Sequence, residues 1–182
     1  MSKALLVLPQ GFEEMEALST LDILRRAGVE VISASLDDSA DVHGSHDITV
    51  KADKKFSEIC EGEYDIAILP GGPGAARYKE HGGLRALIDR RRANCEKVAA
   101  ICAAPVFLGL VGLLEGRRAV CYPGMEAELT GAVYVDELVV TDGPVTTAKG
   151  PGAAVPFALR LVELLEGPAA AAKVRQAICL TV

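Results

Sequence analysis

The sequence predicts an α/β fold, a mostly parallel sheet covered by helices on both faces. Three observations carry that prediction. Residues 4–8, 64–69 and 97–101 are apolar-dominated runs of strand length, the pattern of strands buried on both faces. Amphipathic stretches of helical length separate them. Glycine-rich loops follow the runs, as at Pro70-Gly71-Gly72-Pro73-Gly74, where a strand hands over to a helix.

In order along the chain, residues 4–8 form the first strand, broken by Pro9-Gln10-Gly11. Residues 13–26 are amphipathic and end at Gly28, a helix with a glycine stop. Residues 29–36 make the second strand and complete a βαβ unit. A polar, turn-rich segment (37–47) leads to short alternating pieces suited to a hairpin or edge strands. After the strand at 64–69 come a helix over about 83–93, the strand 97–101 and a helical run over 106–114. Residues 118–122, 138–141 and 145–148 read as later strands, and 153–165 and 169–176 as closing helices. No repeat, low-complexity segment or linker interrupts the chain, so residues 1–182 are read as one domain.

Composition excludes several classes. Half of the 182 residues are apolar and 24% are charged, an ordinary globular balance. A net charge of -6 argues against a surface for nucleic-acid phosphates, and Arg90-Arg91-Arg92 is too short a run to alter that. Five scattered cysteines without CxxC spacing speak against a disulfide framework or a zinc site. Free thiols fit a reducing compartment, and no stretch reads as a signal peptide or membrane span, so a cytoplasmic location is expected.

Chemistry concentrates at Cys102. The strand 97–101 ends on it, Ala100 and Ala104 flank it at two residues, and a helical run follows. That is the layout of a nucleophile elbow, which aims a side chain at a helix start favouring thiolate. A buried structural cysteine is the competing reading. Gly11-Phe12-Glu13-Glu14-Met15-Glu16 opens the first helix with three carboxylates. They serve either as ordinary complements to the helix dipole or, if one turns inward, as a proton partner for the thiol. Residues 70–74 lack the spacing of a nucleotide-binding loop; they form either a tight turn or backbone oxyanion donors, together with Ala103. The loop Ala148-Lys149-Gly150-Pro151-Gly152-Ala153 suits a structural wall. His43, His46 and His81 lie in polar loops away from the cysteine, so a Cys-His protease arrangement has weak support.

Taken together, these segments resemble the ThiJ/PfpI family, in the branch of the Parkinsonism-associated protein deglycase and its bacterial homologues. The resemblance runs from Ala4-Leu5-Leu6-Val7 through the glutamate-rich helix start, the 70–74 loop and Ala100-Ile101-Cys102-Ala103-Ala104-Pro105 to Gly150-Pro151-Gly152. It implies a flavodoxin-like three-layer sandwich and a homodimer with active sites near the interface. It also implies that Cys102 is the reactive cysteine, Glu16 its hydrogen-bonding glutamate, and Gly71 and Gly72 the oxyanion donors beside Ala103. Asp22 and Arg26 fall where the branch keeps an acidic and a basic residue near pocket and interface. Departures accompany the match. Tyr122 stands where many relatives keep a histidine, and it is a poor base at neutral pH. His46 replaces an arginine that reaches across from the partner subunit. The usual basic-glycine turn carries Lys149, Ala153 stands where a hydroxyl residue is common, and Ala103 replaces the histidine of the protease branch.

The implied activity is cofactor-free cysteine chemistry on glyoxals and their early adducts with thiols or proteins, with no metal, nucleotide or organic cofactor. The alternative is a redox-sensing stress protein or chaperone whose Cys102 oxidises to sulfinate. A role in thiamine metabolism, suggested by a family label, has no supporting diphosphate- or thiazole-binding pattern.

Overall fold

The computed structural model describes residues 1–180. In chain order the elements are β1 (Lys3–Leu8), α1 (Glu14–Arg26), β2 (Glu30–Ser35), β3 (Asp41–His43), β4 (Thr49–Lys51), β5 (Lys54–Lys55), α2 (Phe56–Ile59), β6 (Ile66–Leu69), α3 (Gly82–Ala93), β7 (Lys97–Ile101) and α4 (Ala104–Leu110). They continue with β8 (Arg118–Ala119), β9 (Val133–Tyr134), β10 (Val139–Asp142), β11 (Val145–Ala148), α5 (Ala154–Glu166) and α6 (Pro168–Ala177).

Seven strands form one sheet in the order β10-β11-β7-β6-β1-β2-β5. Every pairing is parallel except that of β10 at one edge. A strand turns successive side chains to opposite faces, so the wholly apolar β1 serves two cores at once. Ala4, Leu6 and Leu8 pack with Leu24 of α1 and with Phe157 and Leu161 of α5. Leu5 and Val7 pack with Leu84 and Leu87 of α3 and Phe107 of α4. The result is the three-layer α/β architecture expected.

Strand order reverses at β1, which has β2 on one side and β6 on the other. Loops leaving the carboxyl ends of β1 and β6 therefore diverge at a switch point, where open α/β sheets bind ligands. The loop after β7 joins them from the next strand. The small β3–β4 hairpin lies against the β1 loop through Gly11 N–H to His43 O (2.7 Å) and Ser45 N–H to Phe12 O (2.9 Å).

The structure differs from the sequence expectation in three places. The helix after Cys102 covers Ala104–Leu110 rather than 106–114, because Pro105 fits the first turn and Gly112, at φ +71°, ends it. The strand expected at 118–122 shrinks to β8, which pairs with β9 outside the main sheet. Val120 N–H is instead taken by Thr147 Oγ1 (3.0 Å) and Tyr122 N–H by Cys102 O (2.8 Å). A 3₁₀ segment over Pro73–Glu80 was not anticipated; its Pro73 start makes it a continuation of the glycine turn. Among the described residues no helix is long and apolar enough to cross a membrane.

Candidate active site

Cys102 occupies the junction of β7 and α4 with φ +65°. A non-glycine residue in that left-handed region stores about 1–3 kcal/mol, so neighbours must impose it. They do so through the backbone. Cys102 N–H donates to Ala148 O on β11 (2.9 Å), and its carbonyl accepts from Tyr122. The side chain is 7% exposed, and the backbone amides of Gly72 and Ala103 lower its thiol pKa against the effect of burial.

Glu16 arrives from the first turn of α1 and is 1% exposed. Its Oε2 accepts Gly71 N–H at 2.7 Å. Its Oε1 is buried with no hydrogen-bond partner, and the carboxyl group lies beside Cys102, since a Cβ on Gly71 would meet both Cys102 Cβ and Glu16 Oε2. Burial is the main cause that lifts the Glu16 pKa from 4.5 to about 7, and the charge of Glu13 adds to it. Burial first, then the negative charge of Glu16, pushes the thiol up to about 12. The two groups titrate as one system. The repulsion that raises the thiol exists only while Glu16 is ionised. Burial raises the thiol whichever state Glu16 is in, and the amides of Gly72 and Ala103 lower it.

A seam of backbone contacts places these groups. Glu13 caps α1 by accepting Glu16 N–H at its Oε2 (2.7 Å), while Glu13 N–H donates to Gly71 O (3.0 Å). Gly74 N–H donates to Gly11 O (2.8 Å). Side chains have no room here. A Cβ on Gly71 would lie 2.6 Å from Cys102 Cβ and 2.8 Å from Glu16 Oε2, and one on Gly72, at φ +86°, 2.6 Å from Glu13 N. Tyr78, fully buried, donates its hydroxyl to Pro70 O (2.7 Å) and fixes the loop from below.

The residues named from the sequence therefore separate into groups. Cys102, Glu16, Gly72 and Ala103 converge. Gly71 converges too, but its amide is engaged by Glu16, while those of Gly72 and Ala103 lower the thiol pKa. His46 lies on the exposed hairpin turn, where Nδ1 meets Glu14 Oε2 (2.8 Å) and its N–H donates to Glu14 Oε1 (2.6 Å). That contact raises the His46 pKa and holds Glu14 down to about 2, despite the opposing effect of burial on Glu14. Asp22 and Arg26 form an exposed i,i+4 pair (2.6 Å) toward the far end of α1. Tyr122 touches the cysteine through its backbone only; its ring, 47% exposed, rests against Gly150 in a shallow cleft with Leu138 and Lys149. Glu13, Glu14 and His46 bring one ligand-type atom each within 4.8 Å of one another, but their carboxylates already accept the amide and hydroxyl hydrogens of Glu16, His46 and Ser45. Sequence reasoning missed Tyr78 and Thr147, whose roles depend on chain crossings that no local pattern announces.

The chain is similar to known proteins along most of its length. The DJ-1/PfpI family matches residues 2–164. Protein dj-1beta of Drosophila melanogaster is 37% identical over 171 residues, covering 92% of this chain and 91% of that protein. A Caenorhabditis elegans protein named glutathione-independent glyoxalase DJR-1.2 is 32% identical over 181 residues, 98% of this chain and 96% of its own. The structure of oxidized Toxoplasma gondii DJ-1 matches with a TM-score of 0.96 at 36% identity, covering both chains in full. With an elbow cysteine, a buried glutamate and this extent of similarity, the chain belongs to the DJ-1/PfpI family.

Proposed function

We propose that the protein is a cofactor-independent cysteine enzyme that converts glyoxals, and their early adducts with thiols or protein amines, to hydroxy acids. One observation carries the reading: a buried carboxyl with an unpartnered oxygen, its pKa raised to about 7, stands beside a buried elbow thiol. The name of the Caenorhabditis elegans relative supports it.

With methylglyoxal, Glu16 carboxylate takes the thiol proton as the sulfur attacks the aldehyde carbon and passes it to the aldehyde oxygen, giving a hemithioacetal. Glu16 carboxylate then removes the hydrogen on that carbon, leaving an enediolate with its charge on the former ketone oxygen, and returns it to the neighbouring carbon. Transfer of the first carbon's hydroxyl proton to that oxygen leaves a lactoyl thioester, which water cleaves to lactate and free Cys102. One acid-base group suffices for every transfer, so the chemistry works with tyrosine in place of histidine at position 122. Cys102→Ser should abolish lactate formation with an unchanged circular dichroism spectrum. Full activity in that variant would sink the mechanism.

The same donors favour a second reading. Gly72 N–H, Ala103 N–H and protonated Glu16 lie beside Cys102 and suit a charged sulfinate, formed with two equivalents of peroxide. Mass spectrometry after mild peroxide decides it, since oxidation of Cys60 or Cys121 ahead of Cys102 removes its basis. We propose that the protein works as the homodimer that the family resemblance implies, and sedimentation of the purified protein checks it.

A further inference from the structure

Gly72 and Ala103 do two things. Their amides lower the Cys102 thiol pKa, and both residues also line a cleft of about 240 Å³ that begins at these two neighbours of Cys102. Its apolar walls include Ala75, Val106, Phe107, Leu110 and Met125. Leu110, the last residue of α4, stays 53% exposed there. The cleft around Tyr122 touches neither Gly72 nor Ala103, so it is not continuous with them in this way.

We infer that the first cleft is the side-chain subsite of the reaction, and that the protein prefers α-oxoaldehydes bearing a neutral aryl or branched alkyl group to methylglyoxal. The inference rests on the glyoxal reading above. A carbonyl carbon at the sulfur places its substituent against the residues that neighbour Cys102, and the cleft opens from those residues. Its volume decides the substituent's size. Liquid water takes ~30 Å³ per molecule, so a methyl group of comparable bulk leaves most of the cleft wet. A ring or branched chain displaces that water and covers Val106, Phe107 and the exposed part of Leu110. Met125, unbranched and half-buried, adapts to the shape. Charge decides the substituent's polarity. Lys79 and Glu128, the charged residues of the lining, are opposite in sign and offer no net field for an anionic group.

The test measures kcat/KM for phenylglyoxal (giving mandelate) and methylglyoxal (giving lactate) in the wild type, Leu110→Glu and Ala76→Trp. Both variants change exposed lining residues, and thermal melting checks that they fold. One methylene group in an apolar pocket changes kcat/KM by roughly 10- to 200-fold. Phenylglyoxal should therefore be preferred by about 10-fold or more. Each variant should lower the phenylglyoxal-to-methylglyoxal ratio by about 10-fold, Leu110→Glu by placing a charge in the apolar wall and Ala76→Trp by filling the cleft. If methylglyoxal is consumed at least as efficiently and neither variant moves the ratio, the subsite is refuted while the glyoxal reading stands. If neither aldehyde is consumed, the glyoxal reading itself fails and the subsite falls with it.

Discussion

Replacing Glu16 by Gln should make the protein more stable and less active, with the gain confined to one side of a pH window. The fold raises the Glu16 pKa from 4.5 to about 7, chiefly through burial. At ~1.4 kcal/mol per pH unit, ionised Glu16 costs the folded state about 3 kcal/mol. The sign follows from proton counts. Below about pH 4.5 the carboxyl is protonated in the folded and the unfolded chain, and the fold bears no penalty. From there to about pH 7 the unfolded chain releases the proton while the folded chain keeps it, so stability falls as pH rises. Above that the penalty is complete. Gln has the same shape, stays neutral, and its oxygen still accepts the Gly71 N–H. Urea unfolding at pH 4.5 should show wild type and variant alike, and at pH 8 the variant ahead by about 2–3 kcal/mol with an unchanged m-value. Lactate formation should vanish in the same preparation, an exchange of stability for function. A variant no more stable at pH 8, or equally favoured at both pH values, would refute the account of Glu16 as a carboxyl ionised against the fold.

Three further substitutions examine its surroundings. Gly71→Ala forces a methyl group against Cys102 Cβ at 2.6 Å and Glu16 Oε2 at 2.8 Å, and should destabilise the fold by roughly 1–3 kcal/mol in chemical denaturation while slowing alkylation of Cys102. Glu13→Gln keeps an oxygen to cap α1 but removes a charge that raises the Glu16 pKa, so the pH profile of Cys102 alkylation should move to lower pH; an unmoved profile contradicts it. Tyr78→Phe deletes the buried donor to Pro70 O and should cost about 1 kcal/mol in thermal or urea unfolding, with kcat reduced more than KM raised if the loop positions the thiol.

Much of this molecule is legible in its sequence, for identifiable reasons. β1 and β7 are apolar on both faces because both faces are covered, and such runs signal themselves residue by residue. Cys102 is legible because an elbow demands small neighbours, and Gly71 and Gly72 because only glycine fits against Glu13 and Cys102. Illegible features depend on distant partners. Residues 118–122 have the composition of a strand, yet Val120 and Tyr122 give their amides to Thr147 and Cys102 instead of a ladder. Nothing in the 70–74 loop reveals that Glu16 reaches the amide of Gly71. Tyr78 lies in a 3₁₀ segment with no strong periodicity, and its link to Pro70 is visible only once the chain has folded.

The seam between the α1 start and the 70–74 loop has an evolutionary consequence. Backbone rests on backbone there: a Cβ on Gly74 would stand 2.3 Å from Gln10 O, as one on Gly72 would press on Glu13 N. Such a joint has no side chains to trade, so it cannot drift by small compensated steps. The side chain of Tyr122, which meets Cys102 through its backbone N–H, is under no such constraint. A lineage can thus revise which molecules reach the sulfur while the machinery that charges it passes on unaltered.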